Sequence, residues 1–213
     1  MNSFLSKVFG WMFLGLLITF ATGYVVANNE AMLYNIFSSG MHWILLIAEI
    51  VIVIFLSTRI AKMQTMTATI LFCLYSFITG LTFSIFFVAY EMSSIITVFG
   101  LTSMLFGVFA LFGKITKIDL TKFSSIFVMG IFGILIVSIV NIFLGNTMVD
   151  IIVCIVGLIL FLGLTAYDMQ KLKHYQAMLP NENNAAIIGA FELYLDFINI
   201  FIKLLRLFGR NRD

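Results

Sequence analysis

Seven apolar segments, each of about 20 residues, account for most of this 213-residue chain. A helix needs about 20 consecutive apolar residues to cross the hydrocarbon core of a bilayer. Because no water is available there, a segment of this length must satisfy its backbone hydrogen bonds internally, as a helix does. The predicted spans are Val8–Ala27, Met41–Thr58, Met66–Tyr90, Ser93–Gly113, Phe123–Gly145, Thr147–Tyr167 and Ala185–Phe208.

The composition agrees with a membrane protein. Hydrophobic residues make up 62% of the chain and charged residues only 10%, whereas soluble domains contain about 25% charged residues. The connections between the apolar segments are too short for a separate soluble domain. We therefore predict an all-α, polytopic membrane protein in which residues 1–213 form a single seven-helix transmembrane bundle in the lipid bilayer. The net charge of +2, without a basic cluster interleaved with aromatic residues, argues against nucleic-acid binding.

Basic residues are confined to alternate connections. The connections after the second, fourth and sixth spans contain lysine or arginine, and those after the first, third and fifth contain none. By the positive-inside rule, the basic connections and the N-terminus with Lys7 are predicted to be cytoplasmic. The basic residues in question are Arg59, Lys62, Lys114, Lys117, Lys122, Lys171 and Lys173.

The last apolar segment conflicts with this rule. Seven crossings place Arg206, Arg210 and Arg212 outside, whereas six crossings followed by a re-entrant segment would keep them in the cytoplasm. The segment is nevertheless long enough to cross. We favour seven helices with the C-terminal helix at the centre of the bundle, because a helix with a polar face must be enclosed by the others.

That polar face is a stripe along the last segment. Its members follow one another at steps of four, three, four and three residues, which confines them to an arc of about 80° on a helix. A carboxylate in hydrocarbon costs at least about 2.5–3.5 kcal/mol, so the stripe must meet protein, water or an ion rather than lipid. The stripe consists of Glu192, Asp196, Asn199, Lys203 and Arg206.

Two aspartates are the leading candidates for function. Asp196 lies near the middle of the last segment and Asp168 ends the sixth. Intramembrane ionisable residues are functional by default; the alternatives are a packing role for Asp196 and a solvated helix end for Asp168. If the last segment folds back beside the sixth, the two carboxyls meet in a poorly solvated place and tend to share one proton. Such a pair would sense pH without histidine.

Three further charged residues extend this picture. Glu49 is the only charge inside the second span and must face inward, where it could line a cation path with Asp196 and Glu192. Oxygen ligands suit hard cations, so transient Ca²⁺ contacts at Asp196 and Glu49 are predicted. The alternatives are a protonated, hydrogen-bonded Glu49 and a solvated Glu192 at a helix start. Arg59 is either a snorkelling anchor or a partner of Asp168 on the same side.

Catalytic motifs are missing from the sequence. It contains no metalloprotease motif, no nucleophile elbow and no phosphate-binding loop. Tyr167 and Asp168 match the first motif of intramembrane aspartyl proteases, but Leu195 and Asp196 do not match the second. We therefore expect neither enzymatic activity nor a cofactor.

Two motifs resemble the Bax-inhibitor family of transmembrane proteins. The segment LYLDFINIFIKLLR, from Leu193 to Arg206, is similar to the C-terminal signature of that family. YDMQKL, from Tyr167 to Leu172, resembles its motif at the end of helix six. The motif spacing, the chain length and the seven apolar segments also fit, so the resemblance covers essentially the whole chain.

The resemblance implies a bundle with a central seventh helix that acts as a pH-sensitive calcium leak. It assigns the family's aspartyl pair to Asp168 and Asp196, and its helix-two acid to Glu49. The family's basic latch for the helix-six aspartate corresponds to Arg59 or Lys62. The small size favours a bacterial inner-membrane protein.

The leading hypothesis is a passive, proton-gated Ca²⁺ conduit with Asp168 and Asp196 as its sensor. Protonation of Asp168 would weaken its ion pair with Arg59, so acid is expected to favour opening. The chief alternative is a non-conducting regulator of stress or cell-death machinery, or of a membrane quality-control protease, a role with which some bacterial relatives are associated. A proton-coupled transporter ranks third, because neither broken helices nor repeat symmetry supports it.

Overall fold

The structure is a computed structural model that describes residues 2–179 and 181–212. Within these residues the chain forms eight α-helices and two short 3₁₀ turns, Ile60–Lys62 and Leu120–Phe123. The predicted all-α fold is confirmed. The helices are α1 (Asn2–Ala27), α2 (Glu30–Ser38), α3 (Met41–Arg59), α4 (Thr65–Ala89), α5 (Met92–Ile115), α6 (Ser124–Leu144), α7 (Thr147–Met178) and α8 (Glu182–Phe208).

Seven of the helices in the described part of the chain are long and apolar enough to cross a membrane. They are all the helices except α2, and each corresponds to one predicted span. The chain is therefore a polytopic integral membrane protein, as predicted. Its orientation relative to the cytoplasm stays a prediction.

The helices differ most from the predicted spans at two places. The first connection contains a nine-residue helix, α2, whose N-terminus is capped by Asn29 through a 3.1 Å bond from the backbone N–H of Met32 to Oδ1. The sixth span continues as a helix to Met178, well beyond Tyr167. Residues 168–178 contain no glycine or proline to stop the helix and are rich in unbranched side chains with good helix propensity.

Residues near the start of α8 and just beyond its end are hydrogen-bonded to opposite ends of α4. Near its start, the Asn184 amide donates to the carbonyl oxygens of Ile60 (3.0 Å) and Met63 (2.8 Å), just before α4 begins. Beyond its end, the backbone N–H of Arg212 donates to the carbonyl of Ala89 (2.9 Å), where α4 ends. A re-entrant segment would return to the end at which it started. α8 is instead one uninterrupted helix of 27 residues, about 40 Å long.

The chain folds as two compact units. Unit 1 comprises Met1–Glu91, His174–Tyr194 and Asn211–Asp213, and unit 2 comprises Met92–Lys173 and Leu195–Arg210. The first half of α8 thus belongs to unit 1 and its second half to unit 2. Whether residues 1–213 act as the single bundle expected from the sequence stays a prediction.

Small residues bring α1, α4 and α8 close together in unit 1. A Cβ atom at Gly15 would lie 2.5 Å from the ring of Phe72 and 3.2 Å from that of Tyr194. A Cβ atom at Gly80 would lie 2.8 Å from the carbonyl oxygen of Thr19. Close approach through small residues is typical of helices packed in membranes. It leaves Tyr194 completely buried.

Aromatic packing joins α5 to the second half of α8 in unit 2. The ring centroid of Phe197 lies 5.3 Å from that of Phe99 and 5.6 Å from that of Phe106. By contrast, α6 has no buried residue. In a bilayer such a helix faces lipid, which explains why its side chains are almost all apolar.

α8, which carries the polar stripe, and α6, which is almost entirely apolar, differ strongly in burial. In the most apolar part of each span, 78% of the residues of α8 are buried but none of those of α6. α8 is the most buried of the seven spans. This agrees with the prediction that a helix carrying carboxylates is enclosed by protein.

Candidate functional site

Asp168 and Asp196 are both buried, and both belong to unit 2. Asp168 on α7 is 7% exposed and Asp196 on α8 is 3% exposed. No other charged residue among 2–179 and 181–212 is as deeply buried. Asp168 and Asp196, the leading candidates for function in the sequence, are thus the two acidic residues that are buried in the described structure.

Contacts on either side of the two aspartates pair α7 with α8 in antiparallel orientation. On one side, a Cβ atom at Gly157 would lie 2.9 Å from Cε of Lys203, so glycine makes room for the lysine side chain. On the other side, the hydroxyl of Tyr175 donates to Oε1 of Glu192 at 2.6 Å. Both aspartates lie on the stretches of helix between these two contacts.

The backbone around Asp168 is fixed by two neighbours. A Cβ atom at Gly113 on α5 would lie only 2.1 Å from the carbonyl oxygen of Ala166, so glycine is required there. Gln170 binds the connection between α5 and α6, accepting from the N–H of Leu120 (2.8 Å) and donating to the carbonyl of Ile118 (2.9 Å). The YDMQKL motif thus joins a buried aspartate to residues that hold α7 in place.

Further along the stripe, the polar residues have partners of their own. The amide of Asn199 donates to the carbonyl of Leu195 one turn earlier on α8, at 2.8 Å. Arg206 forms an ion pair with Asp150 at the start of α7, with 38% and 35% of the two side chains exposed. This pair lines an open cleft of about 470 Å³. The sequence alone does not indicate it, because the two residues are distant in the chain and no motif links them.

Glu192 belongs to unit 1, is half-buried and is bound to Tyr175. The bond ties the last turns of α7 to the first half of α8. Glu192 is therefore a hydrogen-bonded interhelical residue rather than a freely solvated helix start. Its place in an ion path stays a prediction.

Glu49 is half-buried in the middle of α3 and also belongs to unit 1. The hydroxyl of Thr82 on α4 donates to its Oε1 at 3.0 Å. Arg59 and Lys62 are exposed, at the end of α3 and in the turn that follows. Both belong to unit 1 whereas Asp168 belongs to unit 2, and the latch stays a prediction.

Few metal-ligating side chains come together. Within the described ranges 2–179 and 181–212, no three His, Cys, Asp or Glu residues group as metal ligands. Ca²⁺ takes six to eight oxygen ligands, of which carboxylates are one source alongside carbonyls and water. Transient contacts of Ca²⁺ with Asp196 and Glu49 therefore stay a prediction.

The chain matches known proteins along its whole length. The family model described as "Inhibitor of apoptosis-promoting Bax1" matches residues 1–213. The inner membrane protein YbhL of Escherichia coli is 39% identical over 218 residues, covering 100% of this chain and 93% of that protein. Uncharacterized proteins of Borreliella burgdorferi and Rickettsia prowazekii are 39% and 34% identical, covering all of this chain and 94% and 92% of their own lengths.

These matches include the YDMQKL and LYLDFINIFIKLLR motifs, and they span all seven transmembrane helices. The chain therefore belongs to the Bax-inhibitor family.

Proposed function

We propose that this protein is a passive, proton-gated conduit for Ca²⁺ in a bacterial inner membrane, with its N-terminus in the cytoplasm. Family membership and the inner-membrane relative from Escherichia coli support the setting. The observation that carries the proposal is the burial of Asp168 and Asp196 on adjacent antiparallel helices of one unit.

The sensor is the aspartyl pair. Two carboxylates removed from water repel one another and lose hydration, so they favour a state in which the pair holds one proton. Loss or gain of that proton changes the charge inside the protein by a full unit. In a region of low dielectric, such a change is large enough to alter how α7 and α8 pack.

The gate in this proposal is an ion pair between Asp168, at the cytoplasmic edge of the sixth apolar segment, and Arg59, the last residue of α3. An ionised Asp168 would hold the arginine, and a protonated one would release it. Acid would therefore open the conduit and alkali would close it. Lys62 lies three residues further along the chain and is the alternative latch.

The path for the ion would be lined by Glu49 and Glu192, with Asp196 as a transient Ca²⁺ contact. Carboxylate oxygens suit Ca²⁺, and a few acids spaced along the path would permit binding without trapping the ion. No cofactor and no catalytic step are needed.

The test is Ca²⁺ flux into liposomes that contain only the purified protein and a trapped Ca²⁺ indicator, between pH 6 and pH 8. We expect wild-type flux to rise towards pH 6 and flux through Asp168→Asn and Asp196→Asn to be independent of pH. Asp119→Asn is the matched control, because Asp119 is an exposed carboxylate that caps a 3₁₀ turn. Its flux should keep the wild-type pH profile.

Equal, pH-independent flux through wild type and Asp168→Asn would refute the gating mechanism. No flux at all, together with a membrane protease or stress-response protein that stays bound during purification, would instead favour the non-conducting regulator.

A further inference from the structure

A second group of polar side chains lies in unit 1, away from the aspartyl pair. It contains one carboxylate and several hydroxyls contributed by α1, α3, α4 and α8. Three of its members, Thr19, Thr79 and Tyr194, are at least nine-tenths buried, with exposures of 0%, 7% and 0%. Burying so many polar groups in a transmembrane region is costly unless each has a partner.

The hydrogen bonds at one edge of the group fix the direction of its protons. The hydroxyl of Thr19 donates to the carbonyl of Ser76 at 2.9 Å, which uses its only proton. Its 2.6 Å contact with the Tyr194 hydroxyl must therefore have tyrosine as the donor. Tyr194 then has no proton left to donate elsewhere, and its remaining lone pair is available to a positively charged partner.

Thr79 lies at the centre of the group and is the member without a satisfactory partner. Its carbonyl oxygen accepts from the Thr82 hydroxyl, which also contacts Oε1 of Glu49. Tyr75 lies one turn before Thr79 on α4, and its ring centroid is 5.9 Å from that of Tyr194. The Thr79 hydroxyl itself forms no hydrogen bond with any described residue. A buried polar atom of this kind calls for an explanation, and an ion held there is one of the standard explanations.

Glu49 supplies the negative charge. Its Oε1 lies 3.0 Å from the Thr82 hydroxyl, whose one proton is shared with the carbonyl oxygen of Thr79 at the same distance. Among the residues that the structure describes, Glu49 forms no salt bridge. An ionised carboxylate at mid-span without a cationic side chain needs another positive charge.

We propose that Glu49, Thr79, Tyr75 and Tyr194 form a binding site for a dehydrated monovalent cation, Na⁺ being the probe. The site offers hard oxygen ligands and a single negative charge. A monovalent ion is neutralised by that charge, whereas Ca²⁺ would leave one positive charge uncompensated in a medium of low dielectric. The site shares Glu49 with the proposed conduit but does not require Ca²⁺ conduction.

The experiment measures thermal unfolding of the full-length protein in detergent through the fluorescence of Trp11 and Trp43. NaCl is exchanged for N-methyl-D-glucamine chloride at constant ionic strength and pH. A cation that binds only the folded state raises the unfolding midpoint, by about 3–6 °C at ten times its dissociation constant. We expect a saturable rise with Na⁺ in the wild type.

Two variants test the site itself. Thr79→Val removes the hydroxyl while keeping the shape, and Glu49→Gln removes the charge; each should abolish the Na⁺-dependent rise. The control is Thr97→Val, because Thr97 is exposed on α5 and its hydroxyl donates within its own helix to Ser93. This variant should keep the full rise.

Three results would overturn the proposal. The first is a wild-type unfolding midpoint that does not respond to Na⁺. The second is an unchanged Na⁺ response in Thr79→Val, a variant that tests the site even where Glu49→Gln fails to fold. The third is a wild-type midpoint that rises with Ca²⁺ instead of Na⁺, together with loss of that Ca²⁺ response in Thr79→Val. Failure of Ca²⁺ flux in liposomes affects none of these readouts, so the two proposals fail separately.

Discussion

Replacing Gly113 by alanine tests whether the contact between α5 and α7 holds Asp168 in place. The new Cβ atom would lie 2.1 Å from the carbonyl oxygen of Ala166 and 2.7 Å from its α-carbon, whereas ordinary contacts begin at 3.4 Å. Because backbone atoms on both sides make this contact, no side chain can rotate away. The helices must separate by about 1.3 Å, the difference between 3.4 and 2.1 Å.

Forced overpacking of this kind costs about 1–3 kcal/mol. For a chain of this size, 1 kcal/mol corresponds to about 2–4 °C in the midpoint of thermal unfolding. Alanine also gains about 0.8–1.0 kcal/mol over glycine in helix propensity, which offsets part of the loss. We therefore expect the midpoint of Gly113→Ala to fall below that of the wild type by up to about 8 °C.

The matched control is Gly107→Ala, on the same helix. A Cβ atom at Gly107 would meet nothing within 4 Å, so only the gain in helix propensity applies and the midpoint should rise by about 2–4 °C. The same two variants in the liposome assay should differ in the pH dependence of flux, since only Gly113 contacts the turn before Asp168. A midpoint for Gly113→Ala equal to or above that of Gly107→Ala would refute the reasoning.

Three further predictions concern other contacts. A double-mutant cycle with Arg206→Ala and Asp150→Ala in thermal unfolding should give a coupling free energy of no more than about 1 kcal/mol between the two side chains. The reason is that over a third of each side chain is exposed to solvent. A larger coupling free energy would contradict this expectation and show that the pair is desolvated. Tyr175→Phe removes a hydrogen bond to Glu192 worth about 1.5–3 kcal/mol. It should speed amide exchange in the first turns of α8, and unchanged exchange would contradict a tethering role. Alkaline phosphatase fused after the last residue should be active in bacteria and inactive when fused after Lys62; the reverse would contradict the orientation.

The transmembrane helices could be predicted because hydrophobic length reports directly on the ability to cross a bilayer. The same signal says nothing about helices outside the membrane. It therefore does not indicate α2, and it ends the sixth span at Tyr167 although the helix continues to Met178. Hydropathy marks where lipid ends, whereas helix propensity decides where the helix ends.

The burial of the two aspartates could also be predicted, because a carboxylate within a transmembrane segment must face protein or water rather than lipid. Asp168 and Asp196 are accordingly the most buried charges that the structure describes. Residues such as Thr79 could not be predicted, because threonine within a transmembrane helix usually bonds to its own backbone and carries no distinctive signal. The partnership of Arg206 with Asp150 depends on how two distant helix ends meet, which sequence spacing does not encode.

The attachments at both ends of α8 restrict how this helix can move. Asn184 is 2% exposed and bound to two carbonyls before α4, and the backbone N–H of Arg212 is bound to the carbonyl at the other end of α4. A piston-like slide of α8 past α4 would break these bonds at both ends, at about 0.5–1.5 kcal/mol for each. Bending near the middle of α8 would break neither set. It would redirect Asp196 while both termini of α8 stay anchored.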